Sequence, residues 1–92
     1  MLQAKVQSIP TEKNPSKILE NIKSTIRKSK SSNMTIDISM LNILDASKVA
    51  TMASTYHFLK FAQGSINWIV GSKEIEKILK PLNLGNSKFI PV

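Results

Sequence analysis

Few side chains in this sequence are of the types that perform acid–base, nucleophilic or metal-dependent chemistry. The 92 residues include one histidine, His57, and no cysteine, so thiolate nucleophiles and cysteine-based metal sites are excluded. Asp37 and Asp45 are the only acids near the most regular stretch of the chain, and their spacing does not indicate a carboxylate pair acting as general acid and base. We therefore predict that the protein is not an enzyme and has no catalytic residue, metal site or cofactor.

Each of these side chains has a structural interpretation. His57 falls at the edge of the apolar face of a predicted helix, where a packed histidine is much more common than a catalytic one. Asp45 stands where a helix N-cap is expected, since its carboxylate accepts free backbone N–H groups of the first turn. An anion could bind this helix start with help from Lys48, but the carboxylate of Asp45 fills the position and repels a second anion. The three glycines are too dispersed for a phosphate-binding loop.

The most regular stretch, residues 33–47, is the unit that positions these acids. From Met34 to Met40, apolar residues alternate with Thr, Asp and Ser, which predicts a strand with one buried and one polar face. Residues 41–44 are read as a short apolar loop. Asp45 then caps a helix over residues 46–61, with Val49, Met52, Ala53, Tyr56 and Leu59 as its apolar face.

The flanking segments continue the same alternation. We predict strands over residues 2–9, 66–70 and 88–92, a helix over 15–29 that Asn14 caps, and a third helix between Ser72 and Pro81. This order predicts one small α/β domain over residues 1–92, with about four strands in a mostly parallel (mixed) sheet. Polar faces on several strands place the three helices mainly on one face of the sheet. The expected core comprises Ile36, Ile38, Val49, Ala53, Trp68, Ile75 and Leu79.

Two short runs in this unit resemble the STAS domain, the family named for sulfate transporters and anti-sigma-factor antagonists. Residues 36–39 read Ile-Asp-Ile-Ser where that family typically has Leu-Asp-Leu-Ser, and residues 45–48 read Asp-Ala-Ser-Lys where it has Asp-Ser-Ser/Thr-Gly. The resemblance covers residues 2–92 in element order but only about 36–48 at motif level. It implies a non-catalytic regulatory module of bacterial-type signalling, STAS-like in fold, that binds an anti-sigma factor, a kinase or a larger assembly.

The same resemblance implies where such a partner would bind. In the family, partners dock around the helix that the second run opens, and phosphorylation of its first Ser releases them. Ala46 occupies that position here, which leaves Ser47 as the neighbouring hydroxyl. The outward face of the predicted helix carries almost no charge, unlike an ordinary solvated face. The predicted partner-binding residues are Asp45, Ser47, Lys48, Thr51, Ser54 and Phe58, although Phe58 could equally be one of the scattered apolar residues of any surface.

The net charge of +7 leaves one alternative function open. Seven Lys/Arg and two acids lie in residues 1–30, so the basic helix 15–30 could bind nucleic acid or anionic lipid. Its lysines are interleaved with Ser and Asn and no aromatic residue accompanies them, which makes nucleic acid an unlikely partner. The N-terminus does not resemble a signal peptide and no run reaches the length of a membrane span, so we expect a cytoplasmic protein, a monomer or weak dimer.

Overall fold

The elements alternate between strand and helix along the whole described chain. The computed structural model describes residues 14–82 and 84–92 and, for residues 6–8, the backbone. The remainder of the predicted first strand lies outside the described residues. The elements are β1 (Val6–Ser8), α1 (Pro15–Lys28), β2 (Asn33–Asp37), α2 (Ile43–Lys60), β3 (Ser65–Val70), α3 (Lys73–Leu79), a 3₁₀ turn (Lys80–Leu82) and β4 (Ser87–Pro91).

The strands form one sheet in the order β1-β2-β3-β4, and every neighbouring pair is parallel. Ile36 of β2 pairs with Trp68 of β3, which pairs with Phe89 of β4. Each connection is a helical crossover to the adjacent strand, and right-handed crossovers that advance in one direction place their helices on the same face. The prediction of a small α/β domain with a parallel sheet and three helices is confirmed.

The core lies between this face of the sheet and the helices. Buried residues alternate along β2 and β3, as a strand covered on one side requires, and the pairing register brings them side by side. Ile38, just beyond β2, extends the buried row. Of the predicted core, Ile75 is half-buried and packs at the edge of the cluster, because α3 is short and only Leu79 turns fully inward. The other predicted core residues are buried: Ile36, Ile38, Val49, Ala53, Trp68 and Leu79.

Helix α1 begins as its sequence predicts. The Asn14 side chain accepts a hydrogen bond from the Ser16 backbone N–H at 2.9 Å, and Pro15 occupies the first helical position, where its missing N–H costs nothing. A single apolar stripe faces the core. At the other end of the helix, the Lys60 ammonium donates to the backbone carbonyls of Ile26 (2.9 Å) and Ser29 (3.3 Å) and also to that of Arg27.

Lys60 therefore has a different role from the one its position in the sequence indicates. The helical pattern places Lys60 on the inward side near the end of α2, which predicts either that the helix frays there or that the lysine stem snorkels to solvent. In the structure its ammonium instead satisfies the last carbonyls of the neighbouring helix α1. A cation at this position also interacts favourably with the negative end of the α1 dipole. The side chain thus joins the C-terminal ends of α1 and α2.

The junction between β2 and α2 differs from the prediction. The N-cap is Asn42, whose side-chain oxygen accepts from the Asp45 backbone N–H at 2.9 Å, so α2 begins at Ile43 and Asp45 lies in its first turn. The strand also ends earlier, at Asp37, because the Asp37 carboxylate accepts from the Ser39 N–H at 2.9 Å and turns the chain. Asn and Asp cap helices about equally well, and local preference cannot choose between caps three residues apart.

Replacement of Ile38 tests the position of this strand. Because Ile38 is fully buried just beyond the carboxyl end of β2, we expect Ile38→Ala to lower the free energy of unfolding by about 2–5 kcal/mol. Ile78→Ala is the matched control, since Ile78 is exposed on α3 and should change stability by less than about 0.5 kcal/mol. Urea denaturation measures both. Equal melting of Ile38→Ala and wild type would mean that β2 is wrongly placed.

Candidate functional site

The predicted docking residues do not all lie on one exposed surface. Asp45 and Ser47 are half-buried near the start of α2, while Lys48, Thr51 and Phe58 are exposed. Ser54 is the exception: it is 3% exposed and faces the core, so its prediction as an outward-facing interface residue was wrong.

Ser54 belongs to a buried polar cluster that joins α2 to the start of β4. Its hydroxyl lies 2.5 Å from the Ser87 hydroxyl, and the Trp68 indole N–H donates to the same Ser87 oxygen at 2.9 Å. The Asn86 side-chain amide donates to the Ser54 backbone carbonyl at 2.9 Å. These bonds satisfy polar groups that would otherwise be costly to bury, and they explain why a serine tolerates the inner face of this helix.

His57 is the second buried polar residue of α2, and both its ring nitrogens have partners. Nε2 lies 2.9 Å from the Ser32 backbone carbonyl, which only accepts, so Nε2 carries the proton. Nδ1 lies 3.3 Å from the Asn86 amide nitrogen, which only donates, so Nδ1 is unprotonated. Burial lowers the pKa of His57 from its ordinary value of 6.5, and the hydrogen bond to Ser32 opposes this shift. His57 is therefore packed in the interior, as the sequence predicts, and its bonding in the structure shows that it is neutral.

The exposed face of α2 is apolar along most of its length. We call it the α2 face and define it by Leu44, Thr51, Met52, Thr55, Phe58 and Leu59. Four of its side chains are large hydrophobic groups well open to solvent: Leu44 (78% exposed), Met52 (47%), Phe58 (58%) and Leu59 (78%). After Asp45, the charged residues of α2 are Lys48 and Lys60. Because Lys60 is bonded to α1, Lys48 is the charge that remains on this side of α2, one turn after Leu44 and one turn before Met52.

Sequence reasoning missed three of these residues. It did not consider Leu44, which it placed in a loop, and it assigned Met52 and Leu59 to the buried side. In the structure the buried stripe is Ala46, Val49, Ala50 and Ala53, continued by Ser54 and His57. The available signal was the run of small residues at helical spacing, which marks the side of a helix that can lie close to a sheet.

Apolar grooves run along both sides of the α2 face. Toward α1, a cavity of about 280 Å³ is lined by Thr51, Met52, Tyr56 and Leu59, together with Lys23 of α1. Lys23 and Met52 also line a second cavity, of about 440 Å³. Because the two cavities share these residues, they form one groove between α1 and α2. On the opposite side, a cavity of about 540 Å³ lies between Phe58 and residues 84–86.

Cations border the groove on the α1 side. The Arg27 guanidinium donates to the Tyr56 hydroxyl at 3.3 Å, and the Lys23 ammonium lies 5.7 Å from the centroid of the Tyr56 ring. Lys23 also lies 3.8 Å from a carboxylate oxygen of Glu20, and Lys48 lines the wider part of the same groove. One edge of the α2 face is thus positively charged.

The chemistry available in the described part of the chain is limited. Within residues 14–82 and 84–92, no three His, Asp or Glu side chains stand close enough to hold a metal ion together. The Asp37 carboxylate is engaged with the Ser39 backbone, and His57 has no free nitrogen. No helix among the described residues is both long enough and apolar enough to cross a membrane.

Comparisons with protein-family models, curated proteins and solved structures found no match for this chain. The resemblance to STAS domains therefore depends on the two short runs themselves. The structure places the first run at the end of β2 and just beyond it, and the second in the first two turns of α2. Ala46 of the second run is 1% exposed and packs in the core.

The bonding of His57 predicts a pH dependence of stability. Protonated His57 would direct an Nδ1–H at the Asn86 amide donor, so the folded state holds the neutral form and its pKa is below that of the unfolded chain. Between these two pKa values the unfolded state binds one more proton than the folded state. The contribution of neutral His57 to the unfolding free energy is therefore fully present above about pH 7 and is lost as the pH decreases through 6.5.

Urea melts between about pH 7.5 and about pH 5 measure this effect. The slope of the unfolding free energy should approach about 1.4 kcal/mol per pH unit at most. In His57→Gln the part of the slope due to the imidazole should disappear, while the titration of Asp and Glu at lower pH remains. Superimposable pH profiles for the two proteins would show that His57 is not held neutral by the fold.

Proposed function

We propose that this protein is a non-catalytic protein–protein interaction module that docks a partner through the α2 face. The observation that supports this most is the exposure of Leu44, Phe58 and Leu59 on a helix whose outward side has almost no charge. A solvated helix face normally carries Lys, Glu and Arg, whose desolvation would oppose docking. Depletion of charge together with large apolar side chains is typical of the core of a protein interface.

The energetic contribution of these side chains is large enough to matter. Burial of one exposed Leu or Phe side chain stabilises by about 1.5–3 kcal/mol, so the α2 face can contribute several kcal/mol to binding once it is covered. Phe58 and Leu59 lie between the two grooves and can act as anchors, while the grooves can receive side chains from the partner. The helix is fixed against the sheet beforehand, which reduces the entropy lost on binding.

The resemblance to STAS domains supports a regulatory role of the anti-sigma-factor antagonist type. The strand-helix order and the parallel sheet are compatible with a STAS-like domain, and the Asp-Ala-Ser-Lys run lies in the first two turns of the helix that carries the apolar surface. On this proposal the partner is an anti-sigma factor, a kinase or a subunit of a larger assembly. Asp45 and Ser47 would lie at the N-terminal margin of the contact, and Lys48 and Thr51 within it.

The alternative function, electrostatic binding of nucleic acid or anionic lipid through residues 15–30, has less geometric support. Two of the cations of α1, Lys23 and Arg27, face the Tyr56 side chain and are partly engaged with it. Lys23 lines the apolar groove, and Arg27 borders it through Tyr56. Their position fits a role as the charged rim of the α2 face.

Substitution of Phe58 tests the proposed surface. We expect Phe58→Asp to reduce at least tenfold the recovery of proteins that wild type captures from extracts of its own cells, because a buried unpaired carboxylate at an interface core costs several kcal/mol. Ile78→Asp is the matched control, since Ile78 is 60% exposed on α3 and Phe58 is 58% exposed. Melting curves first establish that both variants fold, and quantitative mass spectrometry compares the captured proteins. Undiminished recovery by Phe58→Asp would place the binding face elsewhere.

Position 46 generates a further prediction about regulation. The site of the family's phosphoserine is Ala46, which has no hydroxyl and packs in the core, so we expect the protein to remain in the unphosphorylated, binding-competent form. Intact-mass measurement and site mapping of protein isolated from its own cells should show no phosphate in residues 45–48. A stoichiometric phosphate on the half-buried Ser47 would contradict this and would mean that the switch has moved by one residue.

A further inference from the structure

We infer that the partner segment bound by the α2 face is an amphipathic helix with carboxylates along one edge. The inference rests on the proposed function and specifies the chemistry of the partner. Its apolar residues would fill the groove between α1 and α2, and its carboxylates would face Lys48, Lys23 and Arg27.

The kind of segment follows from the hydrogen bonding of this surface. The backbone groups along α2 are used within the helix, so a partner cannot bind here by adding a strand through main-chain hydrogen bonds. It must present side chains along one stripe, at the spacing of the groove. An amphipathic helix does this with residues at i, i+3, i+4 and i+7.

The charge of the partner follows from the borders of the groove. Lys48 and Lys23 line its wider part, and Arg27 is bonded to Tyr56 in its narrower part. Among the described residues that line this groove, the charged ones are the cations Lys23 and Lys48 and the acid Glu20, and Arg27 borders the groove through its bond to Tyr56. In the opposite groove, beside Phe58, the lining residues that the structure describes are all uncharged. Electrostatic complementarity therefore favours carboxylates on the edge of the partner that faces α1.

The geometry also indicates the spacing of these carboxylates. Lys23 lines both parts of the groove, and in the wider part it lies with Lys48 and Met52. Arg27 is bonded to Tyr56, which follows Met52 by one turn of α2. From residue 48 to residue 56 the axis of α2 advances about 12 Å. Carboxylates at i, i+4 and i+7 or i+8 of the partner helix match this distance.

A protein partner fits these observations better than a membrane surface does. An interfacial helix needs a polar face rich in Lys and Arg that can lie level with the lipid headgroups. On α2 those cations are Lys48 and Lys60, and Lys60 is bonded to the carbonyls at the end of α1. The apolar side chains border grooves between elements, which suit a complementary protein surface.

Two synthetic helical peptides of about 18 residues test the inference, since shorter helices are marginal in water. They share one leucine stripe and carry either Glu or Lys at the three edge positions. Fluorescence anisotropy and amide chemical-shift mapping measure binding at low salt and at about 0.15 M salt. We expect the Glu peptide to bind at least about tenfold more tightly than the Lys peptide, with the difference reduced by salt. The shifts should map to Met52, Thr55 and Leu59.

Charge reversal in the protein supplies a readout that a structural defect would not produce. We expect Lys48→Glu to weaken binding of the Glu peptide several-fold and to restore binding of a peptide with Lys at the position facing residue 48. Lys77→Glu, an exposed lysine on α3, is the control and should leave both affinities unchanged. Leu59→Asp should abolish binding of every peptide, since Leu59 is exposed and its replacement leaves the core intact.

Equal affinity for the Glu and Lys peptides, or no binding of either, would overturn the inference. Binding to phosphatidylserine-containing vesicles or to duplex DNA that Leu59→Asp abolishes would also overturn it, because the α2 face would then serve another class of partner. These failures are separable from failure of the proposed function. If Phe58→Asp loses its captured proteins but the peptides show no charge preference, only the acidic character of the partner is wrong.

Discussion

The close packing of helix α2 on the sheet is the constraint on which the rest of this structure depends. Its inner stripe is built from Ala46, Ala50 and Ala53 with Val49, all buried in the same cluster as the strand residues. Small side chains allow a helix to lie close to a sheet, and a close helix leaves no room for Met, Leu or Phe between them. The large hydrophobic residues of α2 are consequently on the side that faces solvent.

Buried polar groups then fix the rotation of this helix about its axis. Ser54 and His57 continue the inner stripe, and each finds its partners only in one orientation: Ser87 and Asn86 at the start of β4, and the Ser32 carbonyl before β2. The same Ser32 carbonyl lies against Gly64, where φ is +102° and a Cβ atom would overlap it. A rotation of α2 would leave several of these groups buried and unpaired, at a cost of about 1–3 kcal/mol each.

This arrangement explains how a small domain can present an apolar surface without losing a unique fold. The polar cluster holds α2 from one side and Lys60 ties its end to α1. The exposed apolar residues are outside the core cluster, so in the proposed function they can contact a partner without disturbing the fold. Docking on such a surface needs little rearrangement of the domain, and its specificity can come from the cations on the α1 side.

The order of elements, the parallel sheet and most of the core were determined by the sequence alone. Alternation in residues 34–38 and 66–70 is a property of neighbouring residues, and so is the cap of α1 by Asn14. The start of α2 was not determined by the sequence alone, because Asn42 and Asp45 are both good caps and only the packed structure selects Asn42. The sequence alone also did not determine which side of α2 faces the sheet, since hydrophobicity favours burying Met52 and Leu59 over Ala50 and Ser54. Only the tertiary structure, with close contact to the sheet and polar partners from Ser32, Asn86 and Ser87, reverses that preference.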